Sequence, residues 1–383
     1  MQTIGVLLPR STYYTGLSFD LFEGLKASLR QLNREDLRIV TENIGFGTDK
    51  QQCYKAAEQL IMHENAQVVL AYVGHRMAQV LRPLFLAANR LLIVMDAGAN
   101  VPQEWPECSN IIYHSLHNAF GSWLTAKKAV RDGLSHGGMI TGYYDGGYLQ
   151  TWGISHGFTQ SGGQIVFNHA TGYSREDFSM EPLKNYLQEY PKSALLSIFS
   201  GDYVQWYFSA LKDIFGKADL PIYLPPFALE ETMLQGAIYP GNKAQGIAVW
   251  SKQLENEQNQ LFINELTTSG RIPNLFSLLA WETAVIAVKS LELLKENSSN
   301  VQRTTEALAH FSFESPRGTI HFHAGTKHTI APMYEAEIID DGNGHCAIRI
   351  GEVIPETTAD FETFIEHPME NIVSGWYNSY TCI

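Results

Sequence analysis

Gly153-Ile154-Ser155-His156-Gly157 matches G-x-S-x-G, the turn that presents a nucleophilic serine between a strand and a helix. That turn needs a strand directly before the serine. Here the strand-like run ends near Thr141, and Ser155 falls inside the helical pattern that follows, which argues against acyl-transfer chemistry. His321, His323 and His328 invite a metal, and His321 and His323 share one face of a strand. No acid or thiol stands beside them at ligand spacing, so surface histidines and no metal are expected. Gly142, Gly146 and Gly147 form neither a G-x-G-x-x-G run nor a P-loop, and read as turn residues. No cofactor is expected. Asp96, Asp145 and Asp202 each follow a strand-like run and suit either a helix cap or a ligand contact. Tyr13, Tyr14, Tyr148 and Tyr203 also lie at strand ends, where rim packing and ligand contact are both open. Phe276 opens an apolar helix and fits a core or a pocket wall.

These residues need elements to position them. Ile4, Val6, Leu7 and Leu8 form a short apolar run, which suits a parallel strand buried on both faces. Pro9 ends it, having no N–H to donate. From Leu17 the apolar residues Phe19, Phe22, Leu25, Leu29 and Leu32 fall at helical spacing. Strand, loop and helix make half a βαβ unit, and open parallel sheets bind ligands at the carboxyl edge of their strands. Tyr13 and Tyr14 would face that edge.

The alternation continues: strands at 37–41, 66–72, 90–95 and 111–114, helices at 49–63 and 75–89. It then restarts with helices at 119–131, 146–160, 181–189 and 202–215, and strands at 138–141, 164–169, 194–199, 222–224 and 246–250. A second sheet of the same parallel kind is expected. Helices follow at 255–267, 276–294 and 300–310, then strand-like runs at 318–323, 332–339 and 346–351. Residues 356–383 are acidic and aromatic, with no clear period. The fold class is α/β, with two Rossmann-like lobes hinged by short crossings.

Composition narrows the partners. The 383 residues suffice for two domains, and 45% hydrophobic with 17% charged is globular. A net charge of −13 with no basic run argues against nucleic acid and anionic membranes. No apolar stretch is long enough to span a bilayer, so no membrane insertion is expected. No signal-peptide pattern precedes the first strand, so an exported mature form and a cytosolic protein are both open. Cys53, Cys108, Cys346 and Cys382 form no C-x-x-C pair. Isolated thiols are expected, with one disulfide open in an exported protein.

Several segments in order resemble the type I periplasmic-binding-protein fold, and within it the branched-chain amino acid and amide receptors of ABC importers. They are 3–16 leading to Gly24-Leu25-Lys26, Ala71-Tyr72-Val73-Gly74-His75, and Leu92-Ile93-Val94-Met95-Asp96-Ala97-Gly98-Ala99-Asn100. They continue with Tyr143-Tyr144-Asp145-Gly146-Gly147-Tyr148, Ala280-Trp281-Glu282-Thr283-Ala284, and the run from Phe313 through Pro316 and Gly318 to Phe322. The resemblance implies crossings near His114, Trp250 and Ala331. One lobe would hold 1–114 and 251–330, the other 115–250 and 331–383, with a ligand in the cleft between.

The resemblance also implies contacts. The first loop would bring Tyr13 and Tyr14; the third strand end His75, Arg76, Met77 and Ala78; the next loop Asp96, Ala97, Gly98 and Ala99. The other lobe would bring Tyr148, Asp202, Tyr203 and Phe227, with Phe276 as an aromatic wall. The amino acid receptors use small hydroxyl residues where this chain has Arg76-Met77-Ala78, and a carboxylate where it has Phe227. An amino acid-, amide- or aromatic acid-like ligand is expected, with an ABC permease as partner and no catalysis. The alternative is a cytosolic small-molecule sensor of the same fold that regulates gene expression.

Overall fold

The computed structural model describes residues 2–101, 108–216, 220–367, 369 and 374–381. The first elements are β1 (Thr3–Leu8), α1 (Leu17–Gln31), β2 (Arg38–Asn43), α2 (Lys50–Glu58), β3 (Val68–Tyr72), α3 (His75–Ala88), β4 (Leu91–Asp96) and β5 (Ile111–Ser115). The strands form a parallel sheet in the order β2-β1-β3-β4-β5. Every residue of β3, β4 and β5 is buried, as expected of apolar runs covered on both faces. The edge strand β2 is half exposed and carries Arg38, Thr41 and Glu42. The start of α2 is set by Asp49, whose side chain accepts the N–H groups of Gln51 and Gln52.

Next come α4 (Asn118–Arg131), β6 (His136–Thr141), α5 (Gln150–Gln160), β7 (Gln164–Ala170), α6 (Glu181–Glu189), β8 (Ala194–Ile198), α7 (Asp202–Phe215), β9 (Ile222–Leu224) and β10 (Ala244–Ala248). The chain continues with α8 (Glu257–Thr268), α9 (Leu275–Glu296), α10 (Val301–Leu308), β11 (Ser312–Ser315), β12 (Gly318–Phe322), β13 (Thr329–Ile330), β14 (Tyr334–Asp340), β15 (Cys346–Val353) and α11 (Thr357–Glu366). The second sheet runs β15-β14-β10-β9-β8-β6-β7. The architecture is α/β, with parallel sheets in two lobes.

In the second sheet β7, β6, β8, β9 and β10 are parallel, as expected, and the tail strands add an antiparallel part. β14 pairs antiparallel with β10, and β15 antiparallel with β14, so the returning chain extends the sheet as a hairpin. A small antiparallel sheet, β11-β12-β13, was also unexpected. β11 and β13 are four and two residues long, too short to show a period. The helix read at 146–160 begins at Gln150, after a short 3-10 turn at Asp145–Gly147. In the aperiodic 356–383 segment, α11 buries Phe361 and Phe364 against Phe120 and Trp123, with ring centroids 5.4 and 5.9 Å apart.

The G-x-S-x-G run lies within α5 and serves packing. A Cβ on Gly153 would come within 2.3 Å of the Ala119 carbonyl oxygen, and one on Gly157 within 2.5 Å of that of Trp123. The two glycines therefore let α5 approach α4 closely. Ser155 donates to the Trp152 carbonyl one turn back, and the His156 ring stacks on Trp152 at 4.8 Å.

A buried polar knot joins the small sheet to the first one. Arg317, 1% exposed, donates from Nε and Nη2 to the two oxygens of Glu282 on α9, at 2.9 and 2.8 Å. His114 at the end of β5 lies 2.9 Å from Glu282 through Nε2 and 2.9 Å from Thr329 Oγ1 through Nδ1. Burial alone would raise the Glu282 pKa, but the Arg317 charge and the bonds from His114 and Arg317 outweigh it and hold it at about 2. Burial lowers the His114 pKa, so a neutral imidazole donating to an ionised Glu282 satisfies both groups. Of the described helices, none is long and apolar enough to cross a membrane.

Candidate functional site

The loop after β1 holds two rings in place. Ser11 Oγ accepts the Tyr13 and Tyr14 N–H groups at 3.1 and 2.8 Å, turning both side chains from one hydroxyl. The rings meet edge-on at 4.9 Å. Tyr13 reaches across to the other lobe: its hydroxyl donates to the Ser200 carbonyl, and its ring lies 5.6 Å from Tyr144 and 6.3 Å from Tyr203. Tyr14 meets Phe276 edge-on at 5.1 Å, and its hydroxyl lies 3.3 Å from Met233 Sδ. Phe276 is aimed there by a capping box, in which Asn274 accepts the Phe276 and Ser277 N–H groups and Ser277 bonds back.

Between these groups lies a cavity of about 240 Å³. Tyr13, Tyr14 and Phe276 wall one side, and Asp202 and Met233 line the other. Its charged lining is acidic: Asp20, Asp202 and Glu230. Burial pushes the Glu230 carboxyl up to about 7, although Thr232 and Met233 donate to its Oε2. Its buried Oε1 has no hydrogen-bond partner among the described residues. Burial also raises the Asp20 pKa, partly offset by the bond from Asn274 and the nearby Arg271.

Deeper in the cleft, residues 374–381 occupy the space between the strand-end loops. Tyr380 is fully buried. Its ring stacks on Phe227 at 4.3 Å and 12°, and lies 4.8 Å from Tyr148 and 5.9 Å from Tyr14. Asn118 donates to its hydroxyl, which donates in turn to Gln150 Oε1 at 2.9 Å. Gln150 Nε2 donates to Asp145 Oδ1 at 2.9 Å, and Ser200 Oγ donates to the same oxygen at 2.8 Å. Burial pushes the Tyr380 hydroxyl well above its ordinary pKa, so it stays a donor at all ordinary pH values.

The main chain of this segment is held from both sides. Tyr380 N–H donates to Tyr148 Oη at 2.7 Å, and Ser11 Oγ donates to the Tyr380 carbonyl at 2.9 Å. Tyr72 Oη donates to the Ser379 carbonyl at 3.0 Å, and Arg76 donates to the Ser374 carbonyl at 2.5 Å.

The expected site residues thus divide. Tyr13, Tyr14, Asp202 and Phe276 line the cavity, and Tyr148 and Phe227 hold the Tyr380 ring. Arg76 holds the tail. Tyr203 backs Tyr13, and its hydroxyl donates to the Tyr173 carbonyl. Met77, Ala78, Ala97 and Ala99 are buried in the apolar layers around the first sheet. Asp96 accepts from Ser115 Oγ at 3.0 Å, and burial raises its carboxyl to about 6. Gly98 accepts the Ala119 N–H at 2.7 Å. Asp96 and Asp145 are therefore buried acceptors of side-chain bonds rather than caps, while the cap of α7 is Gly201.

Of the three histidines expected at the surface, His321 and His323 are partly exposed, but the third is not. His328 is buried, its Nε2 lies 3.1 Å from His75 Nε2, and its ring stacks on Tyr113 at 4.5 Å. Burial lowers the His75 and His117 pKa values to about 3 and that of His328 well below its ordinary value, so all three are neutral. Among the described residues, no group of three or more His, Cys, Asp or Glu could hold a metal ion. Cys53, Cys108 and Cys346 are free thiols, and Cys382 lies outside the described residues.

Tyr380, Asn118 and Gln150 were not among the residues expected to bind ligand. The one signal for Tyr380 was the aromatic run Trp376-Tyr377-Asn378-Ser379-Tyr380 in an otherwise aperiodic tail.

Asp145 carries a pH prediction. Burial raises its folded-state pKa to about 7 from 3.8, against opposing bonds from Ser200 and Gln150. The folded chain then binds an extra proton between those values, so stability is lost as pH rises through that window, by up to about 1.4 kcal/mol per pH unit. Asp145→Asn is expected to flatten the fall in denaturation midpoint between about pH 4 and 7. An unchanged slope would show that Asp145 is ionised throughout.

A family model described as periplasmic binding protein matches residues 2–343. No curated protein matches the sequence. Among solved structures, an ABC transporter substrate-binding protein from Sphaerobacter thermophilus superposes with a TM-score of 0.80 at 16% identity, covering 93% of this chain and 98% of that one. A solute-binding protein of Rhodopseudomonas palustris, in complex with p-hydroxybenzoic acid, gives 0.76 at 17% identity, covering 92% and 96%. A branched-chain amino acid transporter substrate-binding protein of Streptococcus pneumoniae, in complex with isoleucine, gives 0.68 at 13% identity, covering 91% and 99%.

Proposed function

The chain belongs to the periplasmic binding protein family, and on that premise we propose that it captures an amino acid-, amide- or aromatic acid-like solute between its lobes for ABC-type import. We divide it at the crossings near 114, 250 and 331, with 1–114 and 251–330 in one lobe and 115–250 and 331–383 in the other. The observation that carries the reading is the cavity of about 240 Å³ walled by Tyr13, Tyr14 and Phe276 from the first and by Asp202, Glu230 and Met233 from the second. A pocket whose walls come from both lobes links binding to closure: a ligand touching both stabilises the closed form by that differential contact. Aromatic walls supply contact area at little rotamer cost, and closure strengthens polar contacts by removing water. The p-hydroxybenzoic acid and isoleucine carried by the two structural neighbours span the ligand range we propose. The partner is an ABC permease, the site of action is outside the cytoplasmic membrane, and the protein performs no catalysis.

A thermal-shift screen of amino acids, amides, aromatic acids and aromatic amines tests this directly, since a ligand at a hundredfold excess over its Kd stabilises by about 2.7 kcal/mol. Tyr14→Ala is then expected to weaken binding of the hit by about 1–2 kcal/mol, because it removes one wall while leaving the core. Equal affinity for wild type and Tyr14→Ala would remove the cavity from the binding site.

A further inference from the structure

We infer that the C-terminal segment is an internal ligand of this cleft, anchored by the Tyr380 phenol, and that a free ligand enters as a para-substituted phenol by displacing it. The inference rests on the binding-protein reading for the free ligand, but the seat of the tail stands on the geometry alone.

Three features mark Tyr380 as an occupant rather than a packing residue of one lobe. First, its contacts come from segments scattered over the chain: Tyr14 from the loop after β1, Asn118 and Gln150 from the starts of α4 and α5, Tyr148, and Phe227. Second, the ring is treated as a ligand would be. One face stacks on Phe227, and the hydroxyl both accepts and donates a bond from neutral amides, the full complement of a phenol. A benzoate lacking the hydroxyl would forgo the bonds from Asn118 and to Gln150, which would keep only their direct bond to each other there, so the pocket favours phenols over unsubstituted rings. Third, the strand-end loops make bonds to the tail that a free ligand would inherit. Ser11, Tyr72 and Arg76 all donate to its carbonyl oxygens. Departure of the tail releases Arg76 from the Ser374 carbonyl and leaves a cation for an acidic ligand. With the tail in place, the remaining cavity has only acidic charges.

The seat is also sterically dependent on one glycine. A Cβ on Gly74 would lie 2.3 Å from the Tyr377 carbonyl oxygen. Gly74 itself has φ −71° and ψ 161°, which alanine adopts without strain. Gly74→Ala therefore excludes the tail while leaving the local backbone at ease.

The test uses the full chain, with 4-hydroxybenzoate as the probe. Amide hydrogen exchange of 374–381 is measured by mass spectrometry in wild type, Gly74→Ala and Tyr380→Ala, and probe affinity is measured by calorimetry. In wild type the segment should exchange slowly, because Gly375 N–H and Tyr380 N–H bond to Gly147 O and Tyr148 Oη, both at 2.7 Å. Saturating probe should release that protection, and so should Gly74→Ala. Both variants should bind the probe about tenfold more tightly or better, since the competing state is removed. Exchange of the wild-type tail at the rate of an unstructured peptide would overturn the internal-ligand proposal. So would probe binding that leaves the tail protected. If neither wild type nor the open variants bind the probe, the phenol assignment falls. Absence of any hit in the wider screen, even with the open variants, would instead count against the solute-binding reading, while wild-type and Gly74→Ala exchange still decides whether the tail is seated.

Discussion

Arg317→Met is expected to destabilise the chain by about 3–5 kcal/mol, the usual cost of removing one partner from a buried ion pair. Arg317 is 1% exposed and donates twice to Glu282, itself fully buried. Methionine fills much of the same volume, so lost packing is a small part of the effect. The main part is Glu282, left ionised in an apolar setting with only His114 beside it. Arg317 also ties residues far apart in sequence: Glu282 on α9 and His114 at the end of β5 belong to one side of the molecule's crossings, and His114 bonds onward to Thr329 on β13. Urea denaturation followed by circular dichroism at neutral pH measures the loss. The double variant Arg317→Met with Glu282→Leu should recover much of it, because no unpaired charge then remains. A single variant as stable as wild type would show that Glu282 is protonated or solvated.

Gly98→Ala carries the second large effect, roughly 3 kcal/mol or more from two additive costs. Gly98 has φ +84°, outside the range that suits an L side chain. An added Cβ would also lie 2.2 Å from His117 N and 2.3 Å from Asn118 N, both backbone atoms at the start of α4. Relief requires moving that helix start, and Asn118 is the donor to the Tyr380 hydroxyl. The substitution should therefore lower the denaturation midpoint and also loosen the seat of the tail. A variant with unchanged stability would mean that α4 begins farther from the loop after β4.

The alternation of apolar runs and amphipathic helices was readable along the chain because both signals are local. A strand buried on two faces must be apolar over four to six residues, and β3, β4 and β5 are. The family resemblance drew on the same local segments, and Tyr13, Tyr14 and Phe276 followed from their places at element ends. The antiparallel direction of the returning β14–β15 hairpin was not legible, since strand direction depends on which edge remains open. His328 was misplaced for a similar reason: it lies beyond the alternating run, and only the tertiary structure shows that it meets His75 and Tyr113 rather than solvent.

By itself, the sequence determined the fold class, because hydrophobic periodicity and turn chemistry act between near neighbours, and its motifs carried the resemblance to the family. Only the tertiary structure decided what fills the cleft. Tyr380 lies in a segment without period, and its hydroxyl bonds to Asn118, 262 positions away. Contacts at such separation depend on sheet order, on the closeness of α4 and α5, and on the lobes being drawn together, none of which a local pattern encodes.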